Sequence, residues 1–230
     1  MSSGATQKRD ILISKALSYL LRHHAVRENL PIDLNGYVLV KDILTHNRLK
    51  THKCTVQDIR RIVESNDKRR FHIKVSEEGE ESICATQGHS IPHIVPSNDL
   101  LERISTIEQL PTQLIHGTTV QNCGLILESG FIKRMKRNHV HLSPGVTGQD
   151  KQVISGMRAS STVHIYLNMA NLLDKLQLFR SKNNVYLTPN DVPVELFEKI
   201  VIQSKKVSDI STNKLIAELE RMHIPYETSK

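Results

Sequence analysis

Arg137-Asn-His-Val-His-Leu-Ser143 is the stretch on which the reading of this chain turns. In a strand, successive side chains point to opposite faces, so His139, His141 and Ser143 share one face and Val140 and Leu142 the other. Two imidazoles and a hydroxyl on one side make a poor core strand and a good floor for an anion-bearing ligand. The approach to it is cationic. No acid stands between Glu128 and Asp150, whereas Lys133, Arg134, Lys136 and Arg137 lead into the histidines. A solvated edge strand with a basic loop that discourages sheet extension would look the same, so the decision rests on the rest of the chain.

Composition narrows the choice. With 31 Lys+Arg against 24 Asp+Glu the net charge is +7 over 230 residues, and the excess is spread over both halves rather than gathered in a tail. Local basic patches in folded sequence favour a partner with phosphates. Cys54, Cys84 and Cys123 share no metal-ligand or redox spacing, which implies reduced thiols in an intracellular protein of nucleus or cytoplasm. No apolar run reaches membrane-spanning length, so no membrane partner is expected. Metal catalysis is not expected either: the histidines stand beside arginines, and no spacing forms a three-ligand set.

In chain order, residues 1–7 read as a disordered lead-in and 8–24 as a helix with a core stripe of Ile13, Ala16, Leu17, Leu20 and Leu21. Arg22 falls roughly opposite Leu20 on that wheel and His23 at the stripe's edge; cations at a helix C-terminus need no functional cause. Asp33-Leu-Asn-Gly36 predicts a turn and residues 40–46 a short helix. From His46 to Asp58 the chain again lacks acids while offering Arg48, Lys50, His52 and Lys53. Thr55 caps a helix with Val56, Ile59, Ile62 and Val63 on one face. Phe71, Ile73 and Val75 alternate with Arg70, His72 and Lys74, giving a half-buried strand, and a Glu/Gly turn returns the chain through Ile83 and Ala85. Helix, short helix, helix and hairpin is the order of a winged-helix module.

Pro92 and Pro96 bracket a linker, taken as 93–97. Beyond it a strand at 113–116 delivers His116-Gly-Thr118 to a helix start, where backbone N–H groups and a hydroxyl can meet a phosphate or ribose. Ser155-Gly-Met-Arg158, a strand at 163–167, a helix at 169–179, strands at 185–187 and 200–202 and a final amphipathic helix follow. Many short strands with few helices predict a mainly antiparallel α+β domain.

Leu-Ser-Tyr-Leu-Leu-Arg-His (17–23), Arg-Phe-His-Ile (70–73), Ala-Thr-Gln-Gly-His-Ser (85–90), His-Gly-Thr (116–118), Arg-Asn-His-Val-His-Leu-Ser (137–143) and Gly-Met-Arg (156–158) occur in this order. Together they resemble the RNA 2′-phosphotransferase family, in its fungal tRNA-directed branch, over residues from about 8 to about 203. The resemblance implies an α+β chain with an N-terminal winged-helix RNA lobe (8–92) and an ADP-ribosyltransferase-like NAD lobe (98–204), followed by a C-terminal helix and tail (205–230). It implies a monomer whose partners are 2′-phosphorylated ligated tRNA and NAD, the latter consumed as co-substrate without metal. The splice-junction 2′-phosphate would attack the nicotinamide ribose, and the resulting RNA-phospho-ADP-ribose would resolve to 2′-hydroxyl RNA and ADP-ribose 1″,2″-cyclic phosphate.

By the same resemblance Arg22, His23, Arg70 and Arg137 are the catalytic set, and His116, Gly117, Thr118, His141, Ser143 and Arg158 hold NAD. A phosphate monoester is already an anionic nucleophile, so positioning and charge neutralisation matter more than a general base, and arginine supplies a planar multi-donor grip. The position where ADP-ribosyltransferases place a Glu falls within Val185–Glu195, at Val192, and the loss of a carboxylate there spares the incoming phosphate a repulsion. Two other readings remain: an ADP-ribosyltransferase acting on other nucleic-acid phosphates, and a non-catalytic RNA-binding module.

Overall fold

Ile13, Ala16, Leu17, Leu20 and Leu21 are all buried, as the helical period predicts, and around that stripe the first of two units is built. A computed structural model describes residues 4–98, 100–151, 153–203 and 209–229. The chain divides into one unit of Met1–Leu101 with Lys136–Asn138 and a second of Glu102–Met135 with His139–Lys230. The whole is α+β.

In the first unit, α1 (Gly4–Tyr19) begins within the expected lead-in, so residues 4–7 are helical; residues 1–3 lie outside the described residues. A π-helical turn, Leu20–His24, continues it. Strand β1 (Tyr37–Leu39) precedes α2 (Val40–Leu44), α3 (Asn47–Lys50) and α4 (Val56–Ser65), and the hairpin β2 (Phe71–Val75) and β3 (Glu81–Ala85) closes the unit. The sheet order is β1-β3-β2, antiparallel throughout. Neither β1 nor α3 is announced by periodicity, because each is too short to complete a repeat.

Asp33 makes the turn before β1, its Oδ1 accepting from the Asn35 and Tyr37 amides at 2.9 and 2.7 Å. Thr55 caps α4 in a reciprocal box with Asp58, worth about 1 kcal/mol. Ile91 and Ile94 are buried in this unit's core and the Val95 amide donates to the Leu34 carbonyl. The expected linker therefore packs as part of the unit, whose edge lies at Leu101.

The second unit contains β4 (Leu101–Ile104), β5 (Ile115–Thr118), α5 (Val120–Ser129), β6 (Phe131–Ile132), β7 (Val140–Leu142), β8 (Val163–Leu167), α6 (Leu172–Lys175), β9 (Leu178–Ser181), β10 (Tyr186–Thr188), β11 (Val192–Pro193), β12 (Phe197–Gln203), α7 (Asp209–Arg221) and β13 (Tyr226–Ser229). Two four-stranded sheets, β4-β9-β10-β7 and β13-β12-β8-β5, accompany the small β11-β6 pair. The pairs β5–β8 and β7–β10 are antiparallel, and β12–β13 is parallel.

The structure differs from expectation in two places, 169–179 and the end of the chain. The helix at 169–179 shrinks to α6, since Asn171 takes a left-handed φ of 57° and Asn168 Oδ1 accepts from the Ala170 amide, an Asx turn in place of a first helical turn; β9 occupies the rest. Val192 is fully buried in the apolar core. The final helix, α7, packs as its pattern predicts, with Leu215 and Leu219 buried in the core, whereas the expected tail after it is β13, which extends the sheet beside β12.

Candidate active site

The catalytic set predicted from sequence comes together within the first unit. Arg22 and His23 sit in the π-helical turn that ends α1. Such turns hold one residue more than an α-turn and recur at functional sites; here the Tyr19 carbonyl meets the His24 side chain, whose Nδ1 lies 3.3 Å away. Leu20 and Leu21 remain fully buried. Arg22 is consequently drawn inward rather than set opposite the core: it is half-buried and its Nε is sealed from solvent with no hydrogen-bond partner.

A strap of residues 86–91 surrounds that guanidinium. The Thr86 amide donates to the Arg70 carbonyl at 2.9 Å and the Ser90 amide to the Arg22 carbonyl at 2.9 Å, so one segment ties together the backbones that carry both arginines. Gly88, at φ +86°, passes over Arg22; a Cβ there would stand 3.7 Å from the guanidinium, and the left-handed backbone is what excludes other residues. His23 Nδ1 and Ser90 Oγ are 2.8 Å apart.

Arg137 joins the same unit, contrary to its assignment to the NAD lobe. The reason is its neighbour. The Asn138 amide donates to the His89 carbonyl at 2.9 Å, and Asn138 Nδ2 donates to the carbonyls of Ile91 and Ile94, both at 3.2 Å. Gly88, Ser90 and Asn138 are thus positioning residues that charge and periodicity did not reveal. The signal available was the Gln-Gly-His-Ser tetrapeptide, whose glycine marks a special backbone, and the asparagine between Arg137 and His139.

The electrostatics are those of an anion site. Burial, then the cations Arg70 and Arg137, lower the Arg22 pKa to about 10. Burial, Arg22, Arg137 and His24 in turn lower that of His23, which favours the neutral imidazole. A protonated His23 is therefore disfavoured until something anionic arrives.

In the second unit the other predicted residues divide. His116, Gly117 and Thr118 lie on β5, His141 on β7. His116 Nδ1 lies 3.1 Å from the His141 carbonyl, and Ile115 and Ser143 exchange backbone hydrogen bonds at 2.8 Å. The carbonyl can only accept, so Nδ1 carries the proton of this bond and the ring orientation is fixed. Gly117 exists for packing: a Cβ there would come 2.3 Å from Met157 Cγ, so glycine lets the 155–158 loop close onto β5. Thr118 is buried, and Arg158 is exposed at the end of that loop. Ser143 is fully buried and its hydroxyl donates to the Gly145 carbonyl at 2.7 Å. The predicted shared face is therefore uneven, with His139 and His141 half-buried and Ser143 sealed.

Among the described residues no group of three or more His, Cys, Asp and Glu side chains could hold a metal ion, and no helix is long and apolar enough to cross a membrane. Cys54, Cys84 and Cys123 are free thiols, and burial raises each pKa.

The chain is similar to known proteins over most of its length. The model of the RNA 2′-phosphotransferase, Tpt1 / KptA family matches residues 8–190. The chain is 54% identical to the tRNA 2′-phosphotransferase of Saccharomyces cerevisiae, over 96% of both chains. It is 37% identical to tRNA 2′-phosphotransferase 1 of Danio rerio over 80% of both. With a probable RNA 2′-phosphotransferase of Acaryochloris marina it shares 31% identity over 82% of this chain and 96% of that one.

Proposed function

Because the chain belongs to the RNA 2′-phosphotransferase, Tpt1 / KptA family of enzymes, we propose that it removes the splice-junction 2′-phosphate from ligated tRNA with NAD⁺ as co-substrate. The observation that carries this reading is Arg22 Nε, sealed without a partner, in a guanidinium whose charged neighbours are Arg70 and Arg137. A buried donor with no acceptor is costly, and a cation beside two others more so. A phosphate monoester offsets the accumulated positive charge, accepting from guanidinium donors of the cluster other than the sealed Nε.

His23 then acquires a defined part. Arrival of the phosphate opposes the neighbouring cations that depress its pKa, so the imidazole gains a proton as the substrate binds. Ser90 holds its Nδ1 side, leaving Nε2 to face the ligand. As an acid it would protonate a departing ribose oxygen, while Arg22, Arg70 and Arg137 stabilise charge on the transferring phosphoryl group.

In this reading the first unit is a winged-helix RNA lobe, which the order α2, α3, α4, β2, β3 supports, and the second an ADP-ribosyltransferase-like NAD lobe. The donors available there suit an anionic dinucleotide: imidazoles at 116 and 141, the Thr118 hydroxyl, backbone beside Gly117 and the exposed Arg158, without a carboxylate among them. When bound, NAD⁺ supplies the electrophilic ribose carbon that accepts the phosphate. His116, Thr118, His141 and Arg158 would orient it. Ser143, sealed behind them, would act by holding the 143–145 turn.

The test is an RNA with one internal 2′-phosphate, incubated with and without NAD⁺ and without divalent metal. One nicotinamide released per phosphate removed is expected. Full-rate loss of phosphate without NAD⁺, or inorganic phosphate as the direct product, would overturn the mechanism.

A further inference from the structure

Most cations of the first unit that hydrogen-bond do so with acids: Arg9 and Arg61 with Asp58, Arg60 with Glu81, Lys41 with Glu80, Lys74 with Asp33. Lys15, Arg48, Lys50, His52 and Lys53 are different. Among the described residues none of them is ion-paired, and three of them, Lys15, Arg48 and His52, meet where α1 packs against α3 and the turn after it. Between those elements runs a groove lined by Leu12, Lys15, Tyr19, Arg48, Thr51 and His52, with no acid in its wall.

The groove is built, not merely charged. Arg9 donates from Nε to the His52 carbonyl at 2.8 Å and from Nη2 to the Lys53 carbonyl at 2.7 Å, while also gripping Asp58. The basic turn is therefore pinned to α1 through its backbone, which leaves its cationic side chains outward. Tyr19 is sandwiched: the His24 ring stacks at 3.9 Å and the Arg48 guanidinium lies 3.9 Å from the same ring centroid, distances that require opposite faces. Arg48 is thereby held flat with its N–H edge exposed. Glu28, the nearby carboxylate, is already engaged by the Tyr19 hydroxyl at 3.3 Å and by His46 at 3.2 Å.

The groove also has a direction. Leu12, Ala16, Tyr19 and His23 follow one another at helical spacing, and His24 links Tyr19 to His23, its ring 6.1 Å from that of His23. We propose that this groove is a second RNA subsite, which grips the phosphodiester backbone flanking the 2′-phosphate bound at Arg22 and His23. The inference rests on the function proposed above and extends it from the reacting phosphate to its surroundings. Both faces of Tyr19 are occupied, so the groove reads charge rather than stacked bases. From Leu12 to His23 is about 16 Å at helical rise, and even the roughly 3.4 Å phosphate spacing of a DNA strand, longer than that of an RNA helix, fits several times into it. That length offers several phosphates.

The test uses the full chain and two RNAs, each with one internal 2′-phosphate: a trinucleotide and an RNA of transfer-RNA length. Binding is measured from about 50 to 200 mM salt, together with turnover, for the native protein, for K15E and for K15E/R48E. The single variant alters only an exposed lysine, so it keeps the Tyr19 sandwich and guards against a folding defect in the double. The long RNA should bind the native protein more tightly than the short one. The variants should lose that advantage by about tenfold or more, with the log–log salt slope falling by about one for each cation removed, while turnover of the trinucleotide is unchanged. Undiminished affinity and slope for the long RNA in both variants would overturn the subsite, as would equal losses for both RNAs. Failure of the native protein to act on either RNA would instead overturn the proposed function, leaving the binding comparison to decide the groove.

Discussion

The first unit contains two arginine clusters that use the same side chain in opposite ways. Around Asp58, Arg9 and Arg61 surround a carboxylate that is 5% exposed. Arg9 places Nη1 and Nη2 on its two oxygens at 2.9 and 2.6 Å, Arg61 adds a contact at 2.6 Å, and the Thr55 amide donates a further bond. Every charge there has its complement. Around Arg22 the neighbours are Arg70 and Arg137, and the buried Nε has no acceptor. The contrast teaches what to look for in a functional site. Cations matched by a carboxylate hold a fold together; a buried cation whose charged neighbours are other cations is a candidate for ligand binding.

The comparison breaks most visibly at Arg22. Arg22→Met keeps the aliphatic stem and removes the charge, and it should lower the rate of 2′-phosphate removal by about 10²–10³-fold, the usual loss when one preorganised donor to a developing charge is deleted. The same change should leave thermal stability equal or higher, because it removes an unpaired buried donor and two like-charge repulsions. A lower melting temperature together with retained activity would merge the two clusters into one class.

Asp58 is the mirror experiment. Asp58→Ala should destabilise the protein by roughly 2–3 kcal/mol, somewhat less than the 3–5 for a fully buried pair because both arginines keep contact with water. Rate per folded molecule should be nearly unchanged. The Arg9 hydrogen bond, then Arg61 and Thr55, hold the Asp58 carboxyl well below the usual carboxylate range. A depressed folded pKa contributes stability that is complete above the ordinary carboxylate value and is lost as pH falls below it. Native protein should therefore lose stability through the acid range more steeply than Asp58→Asn, as chemical denaturation at stepped pH would show. Parallel curves would remove Asp58 from this role.

The contrast between clusters also marks what could be read from sequence. Local patterns with a complete period were legible: the α1 stripe, the Thr55 cap, and strands such as β8, which occupies Val163–Leu167 as alternation predicts. Elements decided by tertiary pairing were not. β13 exists because β12 accepts it, and nothing in Tyr226–Ser229 alternates strongly enough to announce a strand. The 169–179 segment is apolar enough for a helix, yet Asn168 and Asn171 turn it aside through local side-chain and left-handed geometry. At the site, Arg22, His23, Arg70 and Arg137 were named from motifs. What motifs could not convey was that Asn138 carries Arg137 into the first unit, or that a π-helical turn draws Arg22 inward.

His23 offers a smaller, sharper effect. Its pKa is lowered first by burial and then by Arg22, Arg137 and His24, so in the unliganded protein it is neutral above its depressed pKa. A bound phosphate raises that pKa, and between the two values binding takes up a fraction of a proton. Calorimetry of 2′-phosphorylated RNA binding in buffers of different ionisation enthalpy should reveal that uptake near neutral pH, and His23→Ala should abolish it. Binding enthalpies independent of buffer would exclude the coupling.

The most direct measurement compares binding of two RNAs that differ only in one internal 2′-phosphate against a 2′-hydroxyl, without NAD⁺, for native protein, Arg22→Met and Asp58→Asn below its melting temperature. If the cluster around Arg22 is the phosphate site, the native protein and Asp58→Asn prefer the phosphorylated RNA to the same degree and Arg22→Met loses the preference. Equal affinity of the native protein for both RNAs, or a preference that survives Arg22→Met, would contradict it.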